Sequence, residues 1–286
     1  MAAESSPGRR TAYAVLVSLT ASHLINDMVQ SLLPALYPML KTAYALSFLQ
    51  IGLLTFTSHA TASILQPIVG FYTDRRPHPG SLAAGMGITL AGLLLLAGAR
   101  SYPMLIGSAA LVGVGSSIFH PESSRVARLA SGGKHGLAQS LFQTGGNAGS
   151  SLGPLLAALI VLPRGQTSVA WFSVAVLAGI VLLWRVGQWY GQADHARPAV
   201  ARVAMAHPGL STARVWRSMC VLVALVFSKY IYLVSLTTYF TFYLIHHFGV
   251  PVAQAQLHLF AFLVAVTAGT FIGGPVGDRV GRKTVI

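Results

Sequence analysis

Long apolar segments alternate with short polar breaks along the whole chain. A helix needs about 20 residues to cross the hydrocarbon core of a bilayer, within a range of about 17–25. Eight segments reach this length, and several exceed it, which allows for tilt or for ends that protrude into water. They cover residues 11–40, 47–72, 81–100, 103–124, 137–162, 168–190, 216–245 and 253–277. The pattern predicts an all-α membrane protein, a helical bundle with about eight transmembrane helices.

The composition agrees with lipid as the surrounding medium. Hydrophobic residues make up 54% of the 286 residues and charged residues only 9%, against about 25% charged in typical soluble proteins. The chain has one cysteine, Cys220, so it forms no internal disulfide and no paired thiolate metal site. These numbers exclude an ordinary soluble domain.

The basic residues indicate a topology. If the N-terminus is inside, fifteen of the nineteen Lys and Arg residues lie on the inner side, three lie on the outer side, and Lys229 falls within a span. An inner excess of Lys and Arg is the rule for membrane proteins. We therefore expect a multi-pass protein of a bacterial inner (plasma) membrane with a cytoplasmic N-terminus. The net charge of +13 is explained without nucleic acid, because no basic domain stands outside the membrane to bind it.

One long polar break divides the chain. Residues 191–215 are basic and poor in bulky apolar residues, which predicts a cytoplasmic linker. Residues 1–190 then form an N-terminal bundle of six helices, and residues 216–286 form the start of a C-terminal bundle, with two helices present.

The first span carries four polar residues at i, i+3, i+4 and i+7: His23, Asn26, Asp27 and Gln30. This spacing places them on one face of a helix. Two interpretations remain open. In the first, the stripe forms hydrogen bonds that hold neighbouring helices together. In the second, it is a proton site, because ionisable groups inside a membrane usually face the bundle interior or a water-filled cavity.

Lys229 and Tyr232 are the candidate residues of the seventh span. Lys229 lies about a dozen residues into that span, which is deep for a snorkelling side chain. One hypothesis pairs Lys229 with Asp27 across a cavity, where Lys229 also holds an anionic substrate. The alternative is that each finds separate polar neighbours. Tyr232 belongs to an aromatic stripe that serves either packing or cavity lining.

Two further spans carry candidate proton or substrate residues. The fourth span contains His120, Pro121, Glu122 and Arg125, where a proton relay or substrate contact competes with a simple i, i+3 ion pair between Glu122 and Arg125. The His-Pro-Glu order is not a zinc-binding pattern, so we expect no metal and no cofactor. The fifth span places Gln143 and Asn147 on one polar face, beside glycines that repeat every four residues.

Two copies of a short motif lie 204 residues apart. Gly70, Asp74 and Arg75 close one apolar segment, and Gly274, Asp278 and Arg279 close another. Weak internal repeats of this kind are how many secondary transporters are built. We predict turns that latch one state of a transport cycle. The alternative is that these charged residues only mark the ends of the helices at the inner membrane surface.

At these motifs the chain resembles a known family. The two Gly-x-x-x-Asp-Arg copies resemble the loop signature of the major facilitator superfamily. Gly149-x-x-x-Gly153-Pro154 resembles the fifth-helix motif of drug/proton antiporters, with a gating role. The segments around His23–Asp27, Gly113–Glu122 and Gln143–Asn147 resemble the fosmidomycin resistance protein subfamily.

The resemblance implies twelve helices, alternating access and proton-coupled export of a small anionic phosphonate antibiotic. Four of those helices would lie beyond the eight counted here. The expected partners are the lipid bilayer, a small-molecule substrate and protons. The alternatives are an uptake carrier for a small metabolite or an inactive truncated fragment. A membrane-embedded enzyme is disfavoured, because no acid/base cluster beside a metal or cofactor is evident.

Overall fold

The computed structural model describes residues 11–75, 78–195 and 211–280, and within them it describes only the backbone at 74–75, 193–195 and 273–280. Ten α-helices run through these ranges, and a π-helical turn and a 3₁₀ helix flank the short α7. The α-helices are α1 (Tyr13–Ala35), α2 (Tyr37–Ala43), α3 (Phe48–Arg75), α4 (Ser81–Gly98), α5 (Tyr102–Ala130), α6 (His135–Leu156), α7 (Leu162–Arg164), α8 (Ser173–His195), α9 (Thr212–Phe248) and α10 (Val252–Val280).

The predicted all-α membrane bundle is confirmed. Within the described ranges, seven helical stretches are long and apolar enough to cross a membrane: Phe48–Thr73, Ser81–Gly98, Tyr102–Ala130, His135–Arg164, Gln166–Gln192, Thr212–Phe248 and Val252–Ile272. The remaining predicted span contains α1, a helix of 23 residues. Its four polar residues lower its hydropathy, so composition alone does not mark it as a span.

The first predicted span is not one continuous helix. The structure separates α1 from α2 at Leu36, whereas the sequence pattern predicted helix over 11–40. Pro38 has no N–H to donate to the carbonyl of Pro34, and its ring crowds the preceding turn. The chain therefore breaks at this point and resumes in a new short helix.

The chain turns at Gly165, between the predicted spans 137–162 and 168–190, and the turn has a local cause. The end of α6 passes through a π-helical turn, Ala157–Val161, into α7. Pro163 cannot donate to the carbonyl of Leu159; the guanidinium of Arg164 donates to this oxygen instead, at 3.2 Å. Gly165 then adopts φ +82°, a backbone conformation that glycine tolerates best, and the chain turns into the 3₁₀ helix Gln166–Phe172.

The core of the bundle forms around α1. This helix packs most extensively against α6 and also contacts α5 and α8, while α5 packs against α3 and α4. The predicted seam of small residues on α6 is confirmed: Gly145, Gly149 and Gly153 meet Thr20, Leu24 and Ser31 of α1. Small residues let two helices approach closely in a membrane.

The last two helices contact the bundle unevenly. Buried Gln256 of α10 donates to the carbonyl of Ala35 at 2.6 Å, and Phe242 of α9 packs against Phe48 at 5.3 Å between ring centroids. These contacts lie where α1 ends and α3 begins. Residues 212–232 of α9 are exposed. α9 therefore packs against the bundle only near the end that carries Ala35, whereas α10 also contacts α6 further along.

The two predicted latch motifs are not turns. Gly70, Asp74 and Arg75 lie in the last turns of α3, and Gly274, Asp278 and Arg279 lie in the last turns of α10. The helical backbone continues through both motifs, and in the second it does so although Pro275 has no N–H to donate. The side chains of Asp74, Arg75, Gly274, Asp278 and Arg279 lie outside the described part of the structure, as does most of the predicted linker.

Candidate functional site

The polar face of α1 is organised around one carboxylate. Asn26 Nδ2 donates to Asp27 Oδ1 at 3.0 Å, and Gln30 Nε2 donates to the same oxygen at 3.2 Å. The Asp27 side chain is 17% exposed, whereas Asn26 is fully buried. The helical spacing predicted this face correctly, and the amides hold the carboxylate in one orientation.

His23 lies one turn before Asp27 and is almost completely buried. Its Nε2 is 3.3 Å from Asp27 Oδ2, and its ring stacks on Phe142 of α6 with centroids 4.0 Å apart. Its Nδ1 lies 2.7 Å from the carbonyl oxygen of Phe142. Because a carbonyl can only accept, Nδ1 carries a proton and donates. In the neutral ring, Nε2 therefore presents its lone pair to Asp27.

His120 of α5 completes a three-residue cluster. Its Nε2 lies 3.6 Å from Asp27 Oδ1, and its side chain is 30% exposed. Its Nδ1 lies 3.1 Å from the carbonyl oxygen of Ser116 and 3.0 Å from the Ser116 hydroxyl. The ligand atoms of His23, Asp27 and His120 all lie within 4.8 Å of one another. The sequence placed His120 among the candidates but did not join it to Asp27.

Glu122 belongs to a different site from His120. Its carboxylate is buried, forms an ion pair with Arg125 and accepts from Ser81 Oγ at 3.0 Å. Arg125 Nη1 also donates to the carbonyl of Thr73 at 2.6 Å. Of the two alternatives for Glu122, the local ion pair is therefore the one that the structure contains. This network joins the ends of α3 and α4 to α5.

The polar face of α6 borders a cavity. Gln143 Nε2 lies 3.5 Å from Asn147 Oδ1, and the backbone carbonyl of Asn147 accepts from Thr267 Oγ1 of α10 at 3.1 Å. The cavity has a volume of about 350 Å³ and is lined by α6 and α10 through Gly136, Gln139, Ser140, Gln143, Thr144, Thr270 and Phe271. Gln143 lines it directly, and Asn147 lies one helical turn further along.

A glycine that sequence reasoning did not single out allows the cluster to form. A Cβ on Gly146 would overlap the imidazole of His23 and lie 2.8 Å from Asp27 Oδ2. Position 146 therefore has to be glycine for α6 to approach the pair. The predicted gating residues Gly149, Gly153 and Pro154 are also buried, on the α6 helix that packs against α1.

Lys229 and Tyr232 do not join this cluster. Both side chains are exposed on α9, and Lys229 Nζ lies 5.5 Å from the ring centroid of its neighbour Tyr230. Among the described residues, no ion pair connects Lys229 with Asp27. In this conformation the two charges do not face each other, because α9 approaches α1 only near the C-terminal end of α9.

The chain was compared with known proteins. A model of the Major Facilitator Superfamily matches residues 19–286. The chain is 53% identical over 285 residues to the fosmidomycin resistance protein of Escherichia coli (strain K12), covering 100% of this chain and 70% of that protein. It is 37% identical over 278 residues to an uncharacterised MFS-type transporter of Bacillus subtilis (strain 168), covering 96% of this chain and 68% of that protein.

Two solved structures share the fold at low identity. The inward-facing, occupied structure of a bacterial homologue of the human lysosomal transporter Spinster has a TM-score of 0.70 at 17% identity, and the match covers 95% of this chain and 62% of that one. The D-xylose–proton symporter has a TM-score of 0.70 at 15% identity, covering 94% and 70%. The family model over residues 19–286 and the 53% identity show that the chain belongs to the Major Facilitator Superfamily of transporters, within the fosmidomycin resistance protein subfamily.

Proposed function

We propose that the protein is a proton-coupled secondary transporter that exports a small anionic drug, similar to fosmidomycin, by alternating access. The cluster of His23, Asp27 and His120 carries this proposal. The 53% identity to the fosmidomycin resistance protein supports drug export as the activity. Transport rather than catalysis is the proposed role.

The proton site follows from the chemistry of the cluster. An ionisable residue within a transmembrane bundle is costly and is usually functional. Asp27 lies between two imidazoles, at 3.3 Å and 3.6 Å, and the Phe142 carbonyl orients the lone pair of His23 toward it. A proton held between Asp27 and His23 neutralises the contact. Its loss leaves a carboxylate facing a lone pair, which gives the site two distinct protonation states.

The shape of the bundle supports alternating access. The contacts of Gln256 and Phe242 close the end that carries Ala35, and residues 212–232 of α9 are exposed toward the other end. We place the N-terminus in the cytoplasm, in agreement with the excess of Lys and Arg on that side. The closed end is then the outer end, and α9 is the helix that is free to move at the cytoplasmic end.

The substrate is assigned to the cavity between α6 and α10. A volume of about 350 Å³ lies within the range of small-molecule sites. The amides of Gln139 and Gln143 and the hydroxyl of Thr144 supply hydrogen-bond donors for the oxygens of an anion. Exposed Lys229 and Tyr232 are proposed to contact the substrate when α9 moves toward α1.

Two further elements belong to the same proposal. Residues 1–190 and 216–286 are assigned to two bundles that move relative to each other, joined by the linker 191–215. The paired motifs at Gly70, Asp74 and Arg75 and at Gly274, Asp278 and Arg279 are assigned to latching the cytoplasmic end. The motif at Gly149, Gly153 and Pro154 sets the close contact of α6 with α1. Close small-residue contacts of this kind are a common means of helix association.

The test measures labelled fosmidomycin in inverted inner-membrane vesicles. We expect uptake into vesicles whose lumen is acidic, and collapse of that uptake when a protonophore is added. Asp27→Asn keeps the shape of the side chain but removes its charge, so it should lose gradient-driven uptake by about 100-fold while downhill exchange continues. His258→Gln, at an exposed histidine of α10, is the matched control and should behave as wild type.

Three results would contradict the proposal. Undiminished gradient-driven uptake in Asp27→Asn would remove Asp27 from proton coupling. Accumulation in right-side-out vesicles instead of inverted ones would favour the alternative function, an uptake carrier for a small metabolite. Absence of movement in either orientation would favour an inactive fragment.

A further inference from the structure

Three potential metal ligands converge in the bundle although their sequence spacing matches no metal motif. Asp27 Oδ2 lies 3.3 Å from His23 Nε2, and Asp27 Oδ1 lies 3.6 Å from His120 Nε2. In a tetrahedral site with bonds of about 2.0–2.1 Å, neighbouring ligand atoms are about 3.3–3.4 Å apart. The two distances end on different oxygens of the Asp27 carboxylate, so one ion takes either both oxygens or a single oxygen after the side chains move. One ligand atom from each residue lies within 4.8 Å of the others, and the side chain of His120 is partly exposed.

The nitrogen of His23 that faces Asp27 gives a second observation. His23 Nε2 is buried, and its 3.3 Å contact with Asp27 Oδ2 does not have hydrogen-bond geometry. A buried nitrogen that forms no well-aligned hydrogen bond is costly. Metal-binding histidines characteristically donate their other ring N–H to a carboxylate or backbone carbonyl. His23 does so with Phe142 at 2.7 Å, and His120 Nδ1 lies 3.1 Å from the Ser116 carbonyl.

We infer that this cluster binds one divalent transition-metal ion of the Zn²⁺ or Co²⁺ class. Two imidazoles and a carboxylate suit such ions, whereas Ca²⁺ and Mg²⁺ prefer oxygen ligands alone. Water takes the fourth position, because Asp27 and His120 are partly exposed. The metal site itself does not depend on the proposed function. One consequence does rest on it: because the ion occupies the atoms assigned to the transported proton, metal and proton compete for the site.

The ion is detected by titrating Co²⁺ into the purified full chain in detergent, in a Cys220→Ser background that removes the exposed thiol. We expect one equivalent per chain with the intense visible absorption of tetrahedral cobalt, displaced by Zn²⁺. His23→Ala should weaken binding by about 100-fold or more, since it removes one of three ligands. His258→Ala should bind as the parent does.

A variant that keeps a metal ligand at position 120 separates loss of the site from misfolding as the cause of weaker binding. His120→Cys replaces imidazole with thiolate and should add a sulfur-to-cobalt charge-transfer band in the near ultraviolet, whereas His120→Ala adds none. That band can arise only if position 120 touches the ion. Binding should also weaken by about tenfold or more on acidification from about pH 7.5 to about pH 5.5, because the ligands must shed protons.

Several outcomes would overturn the inference. They are an octahedral cobalt spectrum, equal loss of binding in His23→Ala and His258→Ala, or no charge-transfer band in folded His120→Cys. Each would assign the metal to exposed histidines. The assay involves no transport, so its failure leaves the proposed export untouched, and failure of the vesicle assay leaves the metal site untouched.

Discussion

Gly149→Ala tests the close contact on which the site depends. Gly149 of α6 packs directly on the backbone of Leu24 in α1. An added Cβ would lie 2.9 Å from both the Cα and the carbonyl carbon of Leu24 and nearer still to its carbonyl oxygen. These are backbone atoms within a helix, so they cannot rotate away as a flexible side chain does. The two helices have to separate.

The matched control is a glycine in the interior of α4. At Gly87, an added Cβ meets nothing within 4 Å in the described part of the chain. Both changes gain the better helix propensity of alanine, about 1 kcal/mol, so this gain largely cancels between them. The difference that remains is the cost of overpacking, about 1–3 kcal/mol. At roughly 2–4 °C per kcal/mol, the midpoint of Gly149→Ala should lie about 2–12 °C below that of Gly87→Ala.

The measurement is thermal unfolding in detergent, followed by circular dichroism, alongside export in inverted vesicles. Separation of α6 from α1 also moves His23 away from the Phe142 carbonyl, so we expect weaker export in Gly149→Ala than in the control. Equal midpoints and equal export for the two variants would refute the reasoning, because the contact between α1 and α6 would then tolerate the extra atom.

Two further predictions concern buried polar contacts. Glu122→Gln replaces the buried carboxylate that pairs with Arg125 by a neutral amide and should lower the unfolding free energy by about 1–3 kcal/mol, read from the thermal midpoint; an unchanged midpoint would contradict the role of the pair. Gln256→Leu removes the bond to the Ala35 carbonyl, worth about 1–3 kcal/mol, and should favour opening of that end. Thr238 of α9 is buried at this end, with its hydroxyl 3.5 Å from that of Thr55 in α3. Labelling of Thr238→Cys by an impermeant maleimide should then accelerate about fivefold or more; an unchanged rate would show that Gln256 does not hold the end closed.

The sequence predicted most of the secondary structure for local reasons. A bilayer demands helices of a minimum length, and the apolar segments set seven of the spans directly. The 3.6-residue period placed His23, Asn26 and Asp27 on one face. The predicted spans end next to Pro163 but run through Pro38, near which the structure interrupts the helix. The segment around Pro38 is apolar throughout, and hydropathy does not show that a proline lacks the N–H of a helical hydrogen bond.

The sequence alone thus determined the medium, the helices, the polar face of α1 and the small-residue seam of α6, because each follows from spacing along one segment. The tertiary structure decided which faces meet. His120 and Glu122 are two positions apart, about 200° around a helix at about 100° per residue, and only packing showed that His120 faces Asp27 while Glu122 joins Arg125. Helix rotation and crossing depend on contacts between distant segments, which no local pattern encodes.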